Sequence, residues 1–560
     1  MRYFLLSALL LTGLTAGAQA QPVLTAMQNG GSYAYDIAAG SIFVLRGTGL
    51  SDEGFVQAAG LPLETALAGV SIRFAPVGGG AALDALMIYN YNVGGVNQLA
   101  GLLPSGAAPG EYDVTVTRAG QTSGVLRVKV VARNPGIVTA DSSGSGPAQA
   151  TTANYELIRF AQGELAGYTL RPVYAGDAVV LWLTGLGADA QSDLAGGSSG
   201  DMTAAAEVEV LVNGVEVTPF YAGRASGLPG TDQVNFFVPA DVAPACDVSI
   251  QVRAGGVLSN RVTIAVAKPG AAVCESAQFT AEELLTLSLG GNVRIGIFDV
   301  HNTLLESAFP GVDVPPTKTE TFFGGVVDYT QNDVVAEGIA LTPGQCTAWT
   351  RQAHPSEIQF GVVTYLGYDA GDAIQVSGPG IGQVSAGKLP DRPNEYFAQL
   401  NGVTSGAYTM KAPGGADVGS FEATANLPEF DWIGRTSTNS ILRSGMTIEW
   451  VGGTPGWVNI TGYGAKVISG DLATDYDNVI IEGTLFSCIA DAAAGSMNIP
   501  ATILSRLPVI DATSPIQGSL AVLAIPGPGR TTFQAPLTAG GSVRGLFGYS
   551  LGYTRLVTIQ

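Results

Sequence analysis

The sequence predicts an all-β protein: tandem β-sandwiches, then a C-terminal β-sandwich region, with one short helix. Three observations predict it. The run DAVVLWLTGLG (177–187) is continuously apolar, carries the strand formers Val179, Val180 and Trp182, and is bounded by Ala-Gly and Thr-Gly, as a buried sandwich strand would be. The same phrase occurs earlier. AGSIFVLRGTGL (39–50) and AGDAVVLWLTGL (175–186) share Ala-Gly, seven residues and Thr-Gly-Leu at an offset of 136, and two more echoes follow in the same order. These are GVNQLAGLLP (95–104) with TDQVNFFVP (231–239), and EYDVTVTRAGQTSGVLRVKVV (111–131) with CDVSIQVRAGGVLSNRVTIAV (246–266). Three echoes in one order predict a tandem duplication. Finally, EVEVLVNGVEVTPFYAG (207–223) alternates around Asn213-Gly214, the preferred pair for a two-residue hairpin turn.

The Thr-Gly-Leu strand, the Gln-Val-Asn-x-x-Val-Pro segment (233–239) and the Ser-Asn-x-Val-x-Ile ending (259–264) resemble a family of secreted proteins from Acidobacteria. That family is an uncharacterised Solibacter C-terminal region, itself similar to the IPT/TIG immunoglobulin-like domains. The likeness covers roughly 21–270, about half of the chain. The first repeat departs from it, with Val96-Asn97-Gln98 in place of the full phrase. The resemblance implies Ig-like sandwiches in an extracytoplasmic setting and brings no activity or catalytic residues. From Gln345 onward, Gly414-Gly415-Ala416-Asp417-Val418-Gly419-x-Phe421 and Phe486-x-Cys488 resemble other secreted acidobacterial proteins, again without a function attached.

The N-terminus predicts export. Arg2 precedes the apolar run 4–14, and Ala18-Gln19-Ala20 is a signal-peptidase site, so residues 1–20 are expected to be removed before Gln21. The run is too short to span a bilayer, no Cys follows the cleavage site to carry a lipid, and no other stretch of about 20 apolar residues predicts a membrane segment. Lys and Arg number 26 against 46 Asp and Glu, giving a net charge of −20, which argues against nucleic acid or an anionic membrane as partner. The expected order is a first sandwich over 21–133, a second over 134–270, a linking region over 271–344 and a C-terminal sandwich over 345–560.

The four cysteines, Cys246, Cys274, Cys346 and Cys488, all lie in the exported part and allow three pairings. Cys246 and Cys274 flank the last two strands of the second repeat, so these two are expected to pair, leaving Cys346 with Cys488. Zinc is the rival reading, but no C-x-x-C occurs and the chain has two histidines, His301 and His354.

In the C-terminal half, FTAEELLTLSL (279–289) predicts a helix capped by Thr280 with Glu283 closing a capping box. VRIGIFDV (293–300), IQFGVVTYLGYDAG (358–371) and GSLAVLAIPGPGRTTFQAPL (518–537) predict strands, and MTIEWVGGTPGWVNITGYG (446–464) predicts a hairpin.

Four constellations bear on chemistry. Gly196-Gly197-Ser198-Ser199-Gly200 matches the G-x-S-x-G of serine hydrolases, but it sits in a loop of small residues far in sequence from either histidine. A glycosidase would need two carboxylates across a cleft, which acidic turns alone do not establish. Asp471, Asp475 and Asp477 share one loop, with Asn478 and Glu482 nearby, and could hold calcium or form a solvated acidic turn. Trp432, Trp450, Trp457 and Tyr463 cluster within about 30 residues; Trp457 and Tyr463, with Trp432, are the candidate platform for a sugar ring or a protein partner, and Trp450 is expected in the core. The expectation is a non-enzymatic secreted or surface-associated adhesion protein without a required cofactor, binding an extracellular glycan or surface protein through its C-terminal sandwich. The alternative is an extracellular carbohydrate-active enzyme with Ig-like accessory modules.

Overall fold

The computed structural model describes residues 21–276, 278–312, 314–332, 343–353, 355 and 367–560. The expected signal peptide, His354 and 358–366 of the expected 358–371 strand lie outside the described residues. The chain is all-β, with its longest helix at Ala281–Ser288 among the described residues.

Each repeat is a two-sheet sandwich. In the first, Val23–Asn29, Ile42–Thr48, Val96–Leu102, Leu86–Val93 and Gly54–Gln57 form one sheet in that order. The strands Leu126–Val131, Gly110–Arg118 and Val70–Pro76 form the body of the other. Alternation along the strands sends Phe43 and Leu45 into the space between the sheets, where the Phe43 and Phe74 rings meet edge-on at 5.5 Å. In the second repeat, Ala178–Thr184 lies between Ala150–Thr152 and Asp232–Phe237, and the facing sheet centres on Val208–Val212, Ala245–Ala254 and Val262–Val266. The hairpin turns where expected: Asn213 and Gly214 have φ of 45° and 86°, the left-handed pair this turn demands.

The duplication holds at the level of hydrogen-bond register. Arg46 faces Gln98 across the first repeat; Trp182 faces Gln233, residues 136 and 135 further on, across the second. Val114 faces Leu126, and Ile250 faces Val262. The serine of the third echo explains its presence in both copies. Ser123 Oγ accepts from the Val116 N–H at 2.9 Å and donates to Gly124 O; Ser259 Oγ accepts from the Val252 N–H at 2.9 Å and donates to Asn260 O. In each copy it satisfies a buried backbone donor where the ladder opens. The leucine of Thr-Gly-Leu is held likewise, its N–H donating to Asn97 Oδ1 in one repeat and Asp232 Oδ2 in the other.

The linking region expected over 271–344 is not a separate body in the strand pairing. Val293–Ser307 and Thr317–Tyr329 are interior strands of the long C-terminal sheet, and Val293–Ser307 pairs in parallel with Ser542–Ile559 over twelve residues from Gly296↔Gly545 to Ser307↔Leu556. A parallel partner needs a long crossover, so no local sequence signal could announce it. The sheet folds back on itself around Phe298, Phe322, Tyr396 and Phe547, and Phe421 stacks on Phe533 at 5.0 Å. A small sheet of Phe430–Ile433, Met446–Gly452 and Ser496–Ile499 covers a second core.

The hairpin expected over 446–464 does not form. Met446–Gly452 pairs within the small sheet, whereas Trp457–Asp471 pairs with Asp475–Asp491 and Gly518–Ile525 in the long one. Gly452 and Gly453, with φ of 83° and 79°, turn the chain from one sheet into the other.

The helix carries its expected capping box, Thr280 with Glu283. Glu283 also receives the Arg544 guanidinium, tying the helix to Ser542–Ile559. Both disulfides join the expected partners, Cys246 with Cys274 and Cys346 with Cys488. The first lies in a core shared by Phe160, Phe279, Leu284 and Tyr329, which joins the second repeat to the C-terminal body.

Candidate functional site

The four aromatics close in sequence do not meet on a surface. Trp432 is 2% exposed and packs with Trp450 in the core under the small sheet, where Trp450 Nε1 donates to Ala492 O at 2.8 Å. Trp457 lies on the other sheet, half-buried, with its ring against Gly527. Tyr463 shares a strand face with Trp457 but stands about 20 Å along it. Its ring packs against Ala465, Val479 and Ile481, and burial pushes its hydroxyl above the usual phenol range. The sheet switch at Gly452-Gly453 separates what the sequence places side by side.

The acidic loop is equally local. Asp471 is exposed, and its Oδ1 accepts from the Ala473 and Thr474 N–H groups at 2.8 and 2.9 Å, which holds its carboxyl below the usual range. The side chains of Asp475 and Asp477 lie outside the described residues. Among the described residues no three ligating side chains gather around a common point.

The Gly196–Gly200 segment follows one helical turn, Ser192–Ala195, and Ser198 Oγ accepts only from Gly200 N–H among the described bonds. Ser199 donates to Asp189, Asp189 N–H donates to Ser105 Oγ, and Ser105 donates to Asp193. This loop latches the second repeat onto the first. A surface pocket of about 440 Å³ lies beside Pro310, Asn439 and Ile559; Asp511 is the acid in its wall, and its carboxylate is engaged by Thr513 and Ser514 and lowered by them.

The aromatic surface that does assemble is on the outer face of the first sandwich. Cross-strand register sets Phe55, Tyr91, Gln98 and Arg46 side by side across four strands, and Gln57, Tyr89, Ala100, Val44 and Gln28 in the next row. Phe55 is 56% exposed, and its ring stands 5.8 Å from Tyr89 and 6.2 Å from Tyr91. Gln98 Nε2 donates to the Tyr89 hydroxyl at 3.1 Å, and the Arg46 guanidinium lies 5.3 Å over the Tyr33 ring. Ala100 and Val44 are buried beneath, so the taller side chains stand around a low floor. Burial pushes the Tyr33 hydroxyl up, with Arg46 opposing, and pushes Tyr89 up with Tyr33 adding to it, so both phenols stay neutral and able to donate at physiological pH. The next row, Ile42 and Leu102, is covered by Gly230 of the second repeat. The face therefore runs up to the junction between the repeats.

Sequence reasoning missed this face because it sought aromatics close along the chain. The available signal was the alternation Tyr89-x-Tyr91 in MIYNYNV, which points both rings to one side of a strand. Phe55 and Tyr33 come from other strands and loops, and only register brings them in.

No family model matches the chain, and no curated protein matches it. Solved structures align over long stretches with little superposition. A mixed-linkage glucan utilization locus protein of Bacteroides ovatus, SGBP-B in complex with a mixed-linkage heptasaccharide, is similar at 11% identity over 86% of this chain and 96% of that one, with a TM-score of 0.15. Domains 5–6 of the S-layer protein SbsC align at 18% identity over 44% and 98%, with a TM-score of 0.17. The titin I-band fragment I67–I69 aligns at 8% identity over 73% and 98%, with a TM-score of 0.10. The strand pairing of this chain itself is the ground for its all-β assignment. Among the described residues no helix is long and apolar enough to cross a membrane.

Proposed function

We propose that this chain is an exported, non-enzymatic binding protein that holds a neutral glycan on the aromatic and amide face of its first sandwich, with the second repeat and the C-terminal body as supporting structure. This moves the binding surface from the C-terminal sandwich, where the sequence placed it, to the first repeat. The observation that carries the proposal is the two-row array of Phe55, Tyr91, Gln98 and Arg46 beside Gln57 and Tyr89. Ring faces take the C–H faces of a pyranose, while amides and a guanidinium donate to its hydroxyls. The net charge of −20 disfavours a polyanionic chain, and Arg46, the one charged side chain in the array, disfavours a polycationic one, which leaves a neutral one. Two disulfides and the signal-like N-terminus support an extracytoplasmic setting, in line with the resemblance to secreted acidobacterial proteins. The enzyme alternative would need two converging carboxylates, and none of the side chains in these two rows is acidic.

The test is a glycan array on the mature protein, followed by calorimetry on the best neutral oligosaccharide. Phe55→Ala and Tyr91→Ala are each expected to weaken binding tenfold or more, about 1.4 kcal/mol, with little change in Tm. Absence of neutral-glycan binding, or wild-type affinity retained in both variants, refutes the assignment.

A further inference from the structure

The junction between the repeats has two halves, and the duplication supplies each half a second time with nothing among the described residues on it. On the first repeat, the receiving half is Gly40, Ile42 and Leu102. The Ile42 N–H donates to Thr184 Oγ at 2.9 Å, and Thr184 donates on to Gly230 O. A methyl group on Gly230 would stand 2.5 Å from Leu102 Cδ1 and 2.8 Å from Ile42 Cγ1; one on Gly40 would stand 3.1 Å from Arg224 Nη2 and 3.2 Å from Ala188 Cα. The inserting half is therefore Thr184 and Gly230 of the second repeat.

The matching positions are fixed by register. Ile42 faces Leu102 as Ala178 faces Phe237, and the Gly40 N–H donates to Leu103 O as the Gly176 N–H donates to Val238 O. Leu102 is 0% exposed but Phe237 is 55% exposed, with the ring of Phe220 beside it at 4.8 Å and also open to solvent. A methyl group on Gly176 would meet no atom within 4 Å. On the inserting side, Thr48 and Gly95 of the first repeat match Thr184 and Gly230. Thr48 and the adjacent Val96 are exposed, Gly95 has the same left-handed backbone as Gly230 (φ 85° and 71°), and a methyl group there would likewise meet nothing.

We propose that a second copy of this chain occupies these open halves: the Thr48, Gly95 and Val96 end of one molecule docks on the Gly176, Ala178 and Phe237 patch of the next, repeating between molecules the junction made within each. The contact is head-to-tail, so it propagates into a linear array rather than closing as a symmetric dimer. The 187–200 loop that adds Asp189 and Asp193 to the internal junction is supplied only by the second repeat, so the contact between molecules is smaller and depends on concentration.

Sedimentation velocity and light scattering on the mature chain test this, using Val96→Lys and Phe237→Lys. Both positions are exposed, and an unchanged melting curve verifies folding. The wild type is expected to gain mass with concentration, and each variant alone to remain monomeric. An equal mixture of the two variants is expected to stop at a dimer, because each retains the half the other lacks. A wild type of constant mass at every concentration, association that survives in either variant, or a mixture that stays monomeric while the wild type associates overturns the proposal.

Discussion

The two repeats solve one problem with different chemistry. In the first, Asn97 takes the Leu50 N–H, and its cross-strand neighbour Asn92 donates to Ser51 O, a pair of neutral amides. In the second, the matching positions are Asp232 and Arg224, paired at 2.6 Å with both side chains 0% exposed, and Arg224 donates on to Gly187 O. The neutral version ends in an open tip. The charged version sits against Gly40 of the first repeat, and a buried carboxylate there requires a partner. The difference teaches that the duplicated scaffold tolerates either pair, and that the ion pair belongs to the junction rather than to the sandwich.

The harshest way to break this comparison is Arg224→Ala. It leaves Asp232 buried and unpaired and is expected to cost about 3–5 kcal/mol, whereas Asn92→Ala should cost far less. Chemical denaturation of both variants measures the contrast, and equal losses would remove the distinction. The next test asks what the repeats share. Ser123→Ala and Ser259→Ala each strand a buried N–H, so each is expected to cost about 1–3 kcal/mol, with the two values close together. A large loss in one and none in the other would contradict the register equivalence.

The mildest test is pH. Burial pushes the Asp232 carboxyl up to about 6, against the pull of Arg224 and the Leu186 N–H. An acid raised in the folded state holds its proton more tightly there than in the unfolded chain. The stability it contributes is therefore full below about pH 4 and lost as pH rises through about 6. The stability difference between wild type and Asp232→Asn should shift in favour of the wild type on acidification through that window. The first repeat carries the amide of Asn97 at the matching position, and a flat difference would sink the assignment.

The repeats were legible because a fixed offset preserves strand period, turn and buried serine together, and each leaves a residue-level mark. The disulfides were legible because Cys246 and Cys274 bracket one hairpin. The C-terminal body was readable as strands but not as a sheet order. Gly452-Gly453-Thr454-Pro455-Gly456 signals a turn whether the next strand returns to its partner or crosses to another sheet. The aromatic face was illegible for the same reason. Phe55 and Tyr91 are neighbours only through a pairing between distant segments, while Trp432 and Trp457, close along the chain, end on different sheets.

The parallel ladder between Val293–Ser307 and Ser542–Ile559 has a consequence for how the molecule is made. Its two rails lie about 250 positions apart along the chain, and they must meet before the middle of that body exists. The two sandwich repeats close over far shorter spans, so they can be complete while the rest still waits for its keystone.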